Sequence, residues 1–228
     1  MHGVIKEKAS TVRDWKRLYS LQDAVLKWVH GAEHRFYLSG GTALGRGYCH
    51  HRYSDDLDFF VNDAGEFSLW LDRCLEAIRQ GAMTIGNDFE IILREERFGR
   101  AVVHGPEPLK IEFINDVPSR IGEPWLHPEL GRLDTCENIL ANKITALVDR
   151  LSPKDMADIY WLCCRMGLDI FAAIEGASGK AAGIFPPLVA QALEHGLRQG
   201  VPAVFWIDAP HEDEFSQGII NLIQTIMV

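Results

Sequence analysis

The sequence of 228 residues contains no apolar run long enough to cross a membrane, and its first residues contain no apolar core. A membrane-spanning helix needs about 20 consecutive apolar residues. A secretory signal needs a shorter apolar stretch close to the start of the chain. Since neither is found, we expect a cytoplasmic protein that has no membrane partner.

The chain also lacks a cysteine pattern and an excess of positive charge. Its five cysteines are odd in number, and no two of them have the spacing of a zinc knuckle, so we predict reduced thiols. The net charge of −9 excludes a protein that coats nucleic acid without preference. A local basic groove stays compatible with this charge, because many cations fall in the part of the chain that carries the motifs. They are Arg46, Arg52, Arg94, Arg97, Arg100, Lys110, Lys143, Arg150 and Lys154.

The hydrophobic pattern divides the chain into two parts, without repeats or low-complexity segments. Strand patterns occur at 35–39, 57–61, 89–96, 100–105 and 109–116, and helical patterns at 10–30, 42–48, 66–80, 136–150, 153–166, 171–177, 186–197 and 214–227. Ser10 or Thr11 would cap the first helix, and Gly81 would end the helix at 66–80. We predict an α+β fold with a mixed, mainly antiparallel sheet in residues 1–130 and a helical lobe in 131–228, with the active site in the groove between them.

Two aspartates at the start of the second strand are candidate metal ligands. Asp56 and Asp58 project from the same face of the strand, with Cα atoms about 6.6 Å apart, and Asp55 projects from the other face. Like charges on one face repel, whereas Mg²⁺ favours carboxylate oxygens together with phosphates. The alternative is a solvated acidic rim at the end of a strand.

Glu112 is the candidate for a third carboxylate. In the strand 109–116 it shares a face with Lys110, and it would stand beside the aspartates if the two strands are neighbours, about 4.8 Å apart. Three carboxylates could hold two metal ions about 3.5–4 Å apart. The alternative is an ordinary exposed charge on a strand.

A glycine turn precedes the acidic strand. Ser39-Gly40-Gly41-Thr42 follows a strand and leads into a short helix. Glycines let the backbone approach a ligand, and free N–H groups at such a turn attract phosphate. The spacing matches neither the dinucleotide fingerprint nor the Walker A pattern, and a plain tight turn is the alternative.

Taken together, these motifs resemble the DNA polymerase β-like nucleotidyltransferase superfamily, and more narrowly the AbiEii/AbiGii toxin family. That family carries Gly-Gly-Thr-Ala-Leu, then His-Arg-x-Ser, then Asp-x-Asp-Phe-Phe. In this sequence the three motifs are Gly40–Leu44, His51–Ser54 and Asp56–Phe60. The resemblance covers about residues 35–165 and strengthens the assignment of the aspartates as metal ligands.

The resemblance also extends to a later stretch. The family carries a lysine on a helix and then Arg-Asp-x-x-Asp-Leu, and Lys143, Asp155 and Asp158 match, whereas Lys154 stands where the family has arginine. Lysine cannot make arginine's planar bidentate contact. Lys143 and Arg150, seven residues apart, share a helix face that is either a triphosphate clamp or a solvated face. Asp155 also fits a capping box that starts at Ser152.

The function that the resemblance implies is transfer of a nucleoside monophosphate from an NTP to an acceptor hydroxyl on RNA, such as tRNA, or on protein. The protein would be the toxin of a toxin–antitoxin pair, with a cognate antitoxin. The expected site has Mg²⁺ on Asp56, Asp58 and Glu112. Phosphates would lie near Gly40, Gly41, Thr42, Arg52 and Ser54, and Lys143 and Asp155 would complete the catalytic set. The alternatives are a phosphohydrolase and a non-catalytic interaction module.

Overall fold

The computed structural model of the chain describes residues 13–228 and contains one mixed sheet. Its strands are β1 Tyr37–Ser39, β2 Asp56–Asn62, β3 Asp88–Arg94, β4 Phe98–His104, β5 Leu109–Asp116, β6 Trp125–His127 and β7 Gly131–Leu133. They lie in the order β3-β4-β5-β2-β1-β7-β6. Two neighbouring pairs, β2 with β5 and β1 with β7, are parallel, and the other pairs are antiparallel. The prediction of a mixed, mainly antiparallel sheet is confirmed.

Helices flank the sheet and form most of the second half of the described chain. They are α1 Trp15–His30, α2 Gly40–Leu44, α3 Phe67–Thr84, α4 Cys136–Arg150, α5 Pro153–Tyr160, α6 Ile170–Ser178, α7 Pro186–Leu197 and α8 Glu212–Met227. A single π-helical turn extends α2 over Gly45–Cys49, and another extends α5 over Trp161–Arg165. None of the helices in residues 13–228 combines the length and apolarity needed to cross a bilayer.

Alternation along β2 and β5 separates the core from the site. Leu57, Phe59 and Val61 are buried on one face of β2, and Ile111 and Phe113 are buried on the same face of β5. The apolar side chains of α1, α3 and the later helices continue this cluster, so one hydrophobic core supports both parts of the chain. The polar residues of β2 and β5 project from the opposite face, where the candidate site lies.

The helix α3 does not end at Gly81, as the sequence predicted, but continues to Thr84. Gly81 is buried within the helix, and a Cβ atom built there would overlap the indole ring of Trp28 on α1. The glycine therefore allows two helices to pack closely and does not act as a stop signal. Gly86, with φ +72°, occupies the left-handed region just after the helix.

The first helix, α1, begins at Trp15. Ser10 and Thr11, the proposed caps of this helix, lie outside the described residues. The Asp14 side chain accepts a hydrogen bond from the Arg17 amide at 3.1 Å and caps the helix.

The strands β6 and β7 have no counterpart among the strands predicted from the sequence. Because β7 pairs with β1, the sheet extends slightly beyond residue 130, and the division at that residue stays a prediction.

Candidate active site

A row of polar residues crosses four neighbouring strands on the face opposite the core. Ser39 on β1 lies opposite Asp58 on β2, and Asp58 lies opposite Glu112 on β5. Glu112 in turn lies opposite Arg100 on β4. Residues that are paired across strands project from the same face, so the sheet brings Glu112 beside the aspartates. The strand neighbourhood required by the third carboxylate is therefore present.

The glycine turn is in direct contact with this row. Gly40 has φ +69°, and a Cβ atom built on it would overlap Oδ2 of Asp58. A Cβ atom on Gly41 would lie 2.7 Å from both Nη2 of Arg52 and Oγ of Ser54. Both glycines are therefore required by close packing, and the turn and the acidic strand form a single structural unit.

The hydroxyl groups near the turn hold its conformation. Oγ1 of Thr42 donates a hydrogen bond to the backbone oxygen of Asp56 at 2.5 Å, and Oγ of Ser39 donates to Oδ2 of Asp134 at 2.6 Å. Both hydroxyls are buried. Oγ of Ser54 lies 3.4 Å from Oδ1 of Asp56, so of these three hydroxyls it is the one that reaches a candidate metal ligand.

Asp58 is in the least favourable electrostatic position of the three carboxylates. Burial, followed by the negative charges of Asp56 and Glu112, raises the pKa of Asp58 to about 8, although Lys110 and Lys143 act in the opposite direction. A divalent cation nearby would stabilise the ionised form of such a carboxyl group and lower its pKa.

Glu112, in contrast, is fully engaged by cations. Its Oε1 accepts a hydrogen bond from Nε of Arg100 at 2.7 Å, and its Oε2 lies 3.2 Å from Nζ of Lys110. Nζ of Lys110 also lies 3.4 Å from Oδ2 of Asp56. Burial alone would raise the pKa of Glu112, but Lys110 and Arg100 hold it below its ordinary value.

The carboxylates on this face include a pair that suits a magnesium ion. Mg²⁺ is usually bound in proteins by one or two carboxylates, with substrate phosphates and water completing the octahedron, and Asp56 with Asp58 supply such a pair. Within residues 13–228, no three His, Cys, Asp or Glu side chains converge on one point. The aspartate pair therefore fits Mg²⁺, whereas Glu112 is turned towards Arg100 and Lys110.

Arg52 lies behind the aspartates in a buried ion pair. Its Nε and Nη2 atoms each donate a hydrogen bond to Asp158 on α5 at 2.7 Å, and Nε2 of His51 lies 2.8 Å from the same carboxylate. Burial alone would raise the pKa of Asp158, but Arg52 and Lys143 hold it well below the ordinary value. The structure thus places Arg52 in a link between the motif and the helices.

Lys143 and Asp155 belong to the same buried group. Nζ of Lys143 lies 2.8 Å from Asp158 and 3.1 Å from Asp155, and Nε of Arg150 donates to Asp155 at 2.8 Å. Ser152 precedes α5 as predicted but makes no capping hydrogen bond through its side chain. The carboxylate of Asp155 therefore binds two side chains of α4 and does not form a capping box. Of the two cations on the predicted helix face, Lys143 is buried and Arg150 is exposed.

A cavity of about 610 Å³ adjoins the same face of the sheet. Phe60, two residues beyond Asp58 on β2, forms part of its floor, and α4 with the segment before α7 forms its walls. The lining residues are Phe60, Asp116, Asn142, Thr145, Ala146, Val148, Asp149, Lys180, Ala181, Ala182 and Ile184.

Sequence reasoning missed the residues that support the motif from both ends of the chain. The backbone amide of Ser54 donates to the hydroxyl of Tyr19 at 3.2 Å, and the side chain of Gln22 donates to the backbone oxygen of Ser54 at 3.0 Å. From the C-terminal part of the chain, the backbone oxygen of Phe205 accepts a hydrogen bond from the backbone amide of Tyr53 at 2.8 Å. No sequence signal identified these contacts. Alternation placed Lys110 on the same face as Glu112, whereas the pairing of Glu112 with Arg100 needed the strand register.

The mixed sheet, the glycine turn and the adjoining aspartates define a class of protein, the nucleotidyltransferase fold. Known structures share it. JHP933 from Helicobacter pylori aligns with a TM-score of 0.63 at 20% identity, over 95% of this chain and 93% of that chain. MenT4, a nucleotidyltransferase toxin from Mycobacterium tuberculosis, aligns with a TM-score of 0.53 at 16% identity, over 94% of this chain and 84% of that chain. At such identities the likeness concerns the fold alone.

The family follows from the sequence itself. The model of the AbiEii family, described as the nucleotidyl transferase AbiEii toxin of a type IV toxin–antitoxin system, matches residues 27–183. The chain therefore belongs to the AbiEii family of nucleotidyltransferase toxins, and the resemblance seen in the motifs is confirmed. No curated protein sequence matches the chain.

Proposed function

We propose that the protein transfers a nucleoside monophosphate from an NTP to an acceptor hydroxyl on RNA, such as tRNA, or on a protein. It would act as the toxin of a toxin–antitoxin pair in the cytoplasm and would be countered by a cognate antitoxin. One observation supports this proposal above all: the backbone of Gly40 rests against the carboxylate of Asp58. A phosphate near the turn would therefore lie beside the metal-binding pair.

In this proposal the chain's own groups each have a role. Asp56 and Asp58 hold Mg²⁺, which when bound neutralises phosphate charge and polarises the phosphoryl oxygens. The backbone N–H groups of Gly40 to Thr42 would hold the β- and γ-phosphates, and the missing Cβ atoms let Asp58, Arg52 and Ser54 pack against this turn. The acceptor hydroxyl attacks the α-phosphorus in line and gives up its proton to water, the bond from the α-phosphorus to the oxygen shared with the β-phosphate breaks, and pyrophosphate leaves.

The buried ion pairs would position the groups behind the site. Lys143 contributes positive charge close to Asp58, and Asp155 fixes the position of its ammonium group. Arg52 holds the segment before β2 through Asp158, and Ser54 contacts Asp56. We therefore assign Arg52 and Asp155 as positioning residues and keep Lys143 as the source of electrostatic stabilisation.

We place the nucleoside in the cavity beside Phe60. A nucleoside carries no charge, and the lining suits it because Asp116 is paired with Lys180, whose Nζ lies 3.3 Å from Oδ2 of Asp116, and Asp149 is the other acidic group of the lining. Phe60 offers an apolar surface, and Asn142 and Thr145 offer groups that could form hydrogen bonds with a base. The cavity is large enough for one nucleoside.

The test is incubation of the protein with each of four α-labelled NTPs, total RNA and Mg²⁺. We expect label on RNA or protein, and a loss of about 100-fold or more in Asp58→Asn, because a single electrostatic group in an active site contributes on that order. Asp88→Asn, which changes an exposed aspartate on β3, is the control. Release of phosphate without labelling would indicate a phosphohydrolase, and the absence of both products would indicate an interaction module.

A further inference from the structure

The ion-pair group that joins α4 to α5 contains more cations than anions. Its anions are the carboxylates of Asp155 and Asp158, which are both 0% exposed. Its cations are Arg52, Lys143 and Arg150. One positive charge of this group therefore has no carboxylate of its own, and an uncompensated charge beside a protein interior favours the binding of an anion.

Arg150 is the cation of this group that a ligand can reach. Its side chain is 59% exposed, compared with 10% for Lys143 and 1% for Arg52. All three guanidinium nitrogens of Arg52 are used in hydrogen bonds. Arg150 donates from Nε and Nη2 to Asp155, whereas its Nη1 makes no hydrogen bond to any residue from 13 to 228.

Asp155 sets the orientation of the exposed guanidinium. Nε of Arg150 lies 2.8 Å from Oδ2 of Asp155, and Nη2 lies 3.1 Å from Oδ1. This two-point contact holds one edge of the planar group and leaves the edge formed by Nη1 and Nη2 open. Such an edge suits a phosphate, because two of its oxygens can accept parallel hydrogen bonds from one guanidinium.

The position of Arg150 relates it to the glycine turn and the aspartates. The helix α2, which starts in the turn, packs against both α4 and α5. Arg150 follows Lys143 by about two turns of α4, so the two share a helix face. Its hydrogen bonds to Asp155 raise the pKa of Arg150, although burial acts in the opposite direction. The negative charges of Asp58 and Asp56 raise it further, so Arg150 lies within electrostatic reach of the candidate metal ligands.

We propose that Arg150 binds the γ-phosphate of the NTP and that Asp155 holds its guanidinium in position for this contact. This inference rests on the proposed function, since it concerns the same nucleotide. Once a metal ion neutralises Asp56 and Asp58, the triphosphate supplies the anion that the ion-pair group lacks. The exposed end of the α4 face is then a contact for the terminal phosphate and not a solvated surface.

The test is isothermal titration calorimetry of the whole chain with the four α,β-imido NTPs and with the four NDPs, each in Mg²⁺. The imido group replaces the oxygen between the α- and β-phosphates, so the analogues bind without being cleaved. For the analogue that the wild type binds best, Arg150→Gln should weaken binding by about 10-fold or more, because a charge-assisted contact is lost. Binding of the matching NDP should be unchanged, because it has no γ-phosphate.

Two further variants complete the experiment. Arg150→Lys keeps the charge without the two-point contact, so its loss should be intermediate, and it decides the question if the glutamine variant does not fold. Arg198→Gln is the matched control, because Arg198 is 70% exposed and also pairs with a single carboxylate, that of Glu194. The control should bind both ligands as the wild type does, and circular dichroism verifies that each variant is folded.

The outcomes separate the two proposals. Unchanged affinity for the NTP analogue in the Arg150 variants, or a loss that is equal for the NTP analogue and the NDP, would overturn the role of Arg150 and leave the proposed function standing. If the wild type binds none of the four NTP analogues, the proposed function is wrong and this inference is wrong with it.

Discussion

Arg52 and Asp158 form a bidentate ion pair from which solvent is excluded. Both hydrogen bonds are 2.7 Å long, and the two side chains are 1% and 0% exposed. The pair joins the segment just before β2 to α5, which lies more than one hundred residues later in the chain. The position of the acidic strand relative to the helices therefore depends on a charge contact in the interior.

Replacing Asp158 with asparagine should destabilise the protein by about 3–5 kcal/mol, because the change leaves Arg52 and Lys143 buried with too little negative charge. Urea unfolding at pH 7, followed by circular dichroism, measures the loss. The matched control is Glu194→Gln, which breaks an exposed pair with Arg198 on α7 and should change stability by less than about 0.5 kcal/mol. Equal effects of the two substitutions would show that the buried pair does not stabilise the fold.

The same carboxylate should contribute to acid sensitivity. The pKa of Asp158 is well below its ordinary value in the folded protein, because Arg52 and Lys143 oppose the effect of burial. A depressed folded pKa gives stability that is present above the unfolded pKa of about 3.9 and is lost as the pH falls towards the folded pKa. The stability difference between the wild type and Asp158→Asn should therefore be constant from pH 6 to 5 and shrink below about pH 4.

Urea midpoints measured at half-unit steps of pH would follow this difference. His51 contacts Asp158 directly and Asp155 shares Lys143 with it, so the same comparison in a His51→Gln background separates the contribution of Asp158 from that of its histidine neighbour. A difference that stays constant down to pH 3 would contradict the depressed pKa.

The substitution Gly40→Ala should reduce both stability and transferase activity. Two causes act together: the residue has φ +69°, and its new Cβ atom would displace the Asp58 carboxylate. Gly183→Ala is the control, because Gly183 has φ +84° and no neighbour within 4 Å of the added atom. The control should be less stable than the wild type by about 1–2 kcal/mol, which is the cost of a left-handed conformation for alanine, and it should keep its activity. Thermal unfolding and the labelling assay provide the two measurements, and equal activity in both variants would argue against contact between the turn and Asp58.

Gly81→Ala should destabilise the protein, although alanine favours an isolated helix by about 1 kcal/mol over glycine. The new methyl group would overlap the indole of Trp28, and overpacking of this kind costs about 1–3 kcal/mol. Denaturant unfolding of Gly81→Ala alone and in combination with Trp28→Leu would test this cause. If the second substitution does not reduce the cost of the first, the overlap is not its source.

The sequence predicted elements well where periodicity and local chemistry agreed. The helix at 136–150 and the strand at 109–116 have the predicted boundaries, because apolar spacing and flanking polar residues point to the same ends. The helix containing Gly81 was cut short because glycine is a common stop signal, and its contact with Trp28 comes from a distant part of the chain. The short strands β6 and β7 carry too few residues for a clear pattern.

For the candidate site, the sequence placed the carboxylates on one face but could not give their partners. Alternation put Asp56 with Asp58, and Glu112 with Lys110, whereas the pairing of Glu112 with Arg100 depends on strand register. Lys143 was expected to face phosphates, yet two aspartates of α5 hold its ammonium group. Arg100 with Glu112 and Lys143 with Asp155 are each only 12 residues apart, but the partners lie on different strands or helices, so their contact depends on strand register and helix packing.

The supports of the His51–Ser54 segment have a consequence for any attempt to isolate the catalytic unit. The family match begins at residue 27 and ends at 183, but Tyr19, Gln22 and Phe205, which bond to this segment, lie outside those limits. A fragment cut to the family boundaries would keep every motif and lose the contacts that hold the motif's central segment. A transplant of this site into another scaffold should therefore include α1 and the stretch around Phe205 as part of the graft.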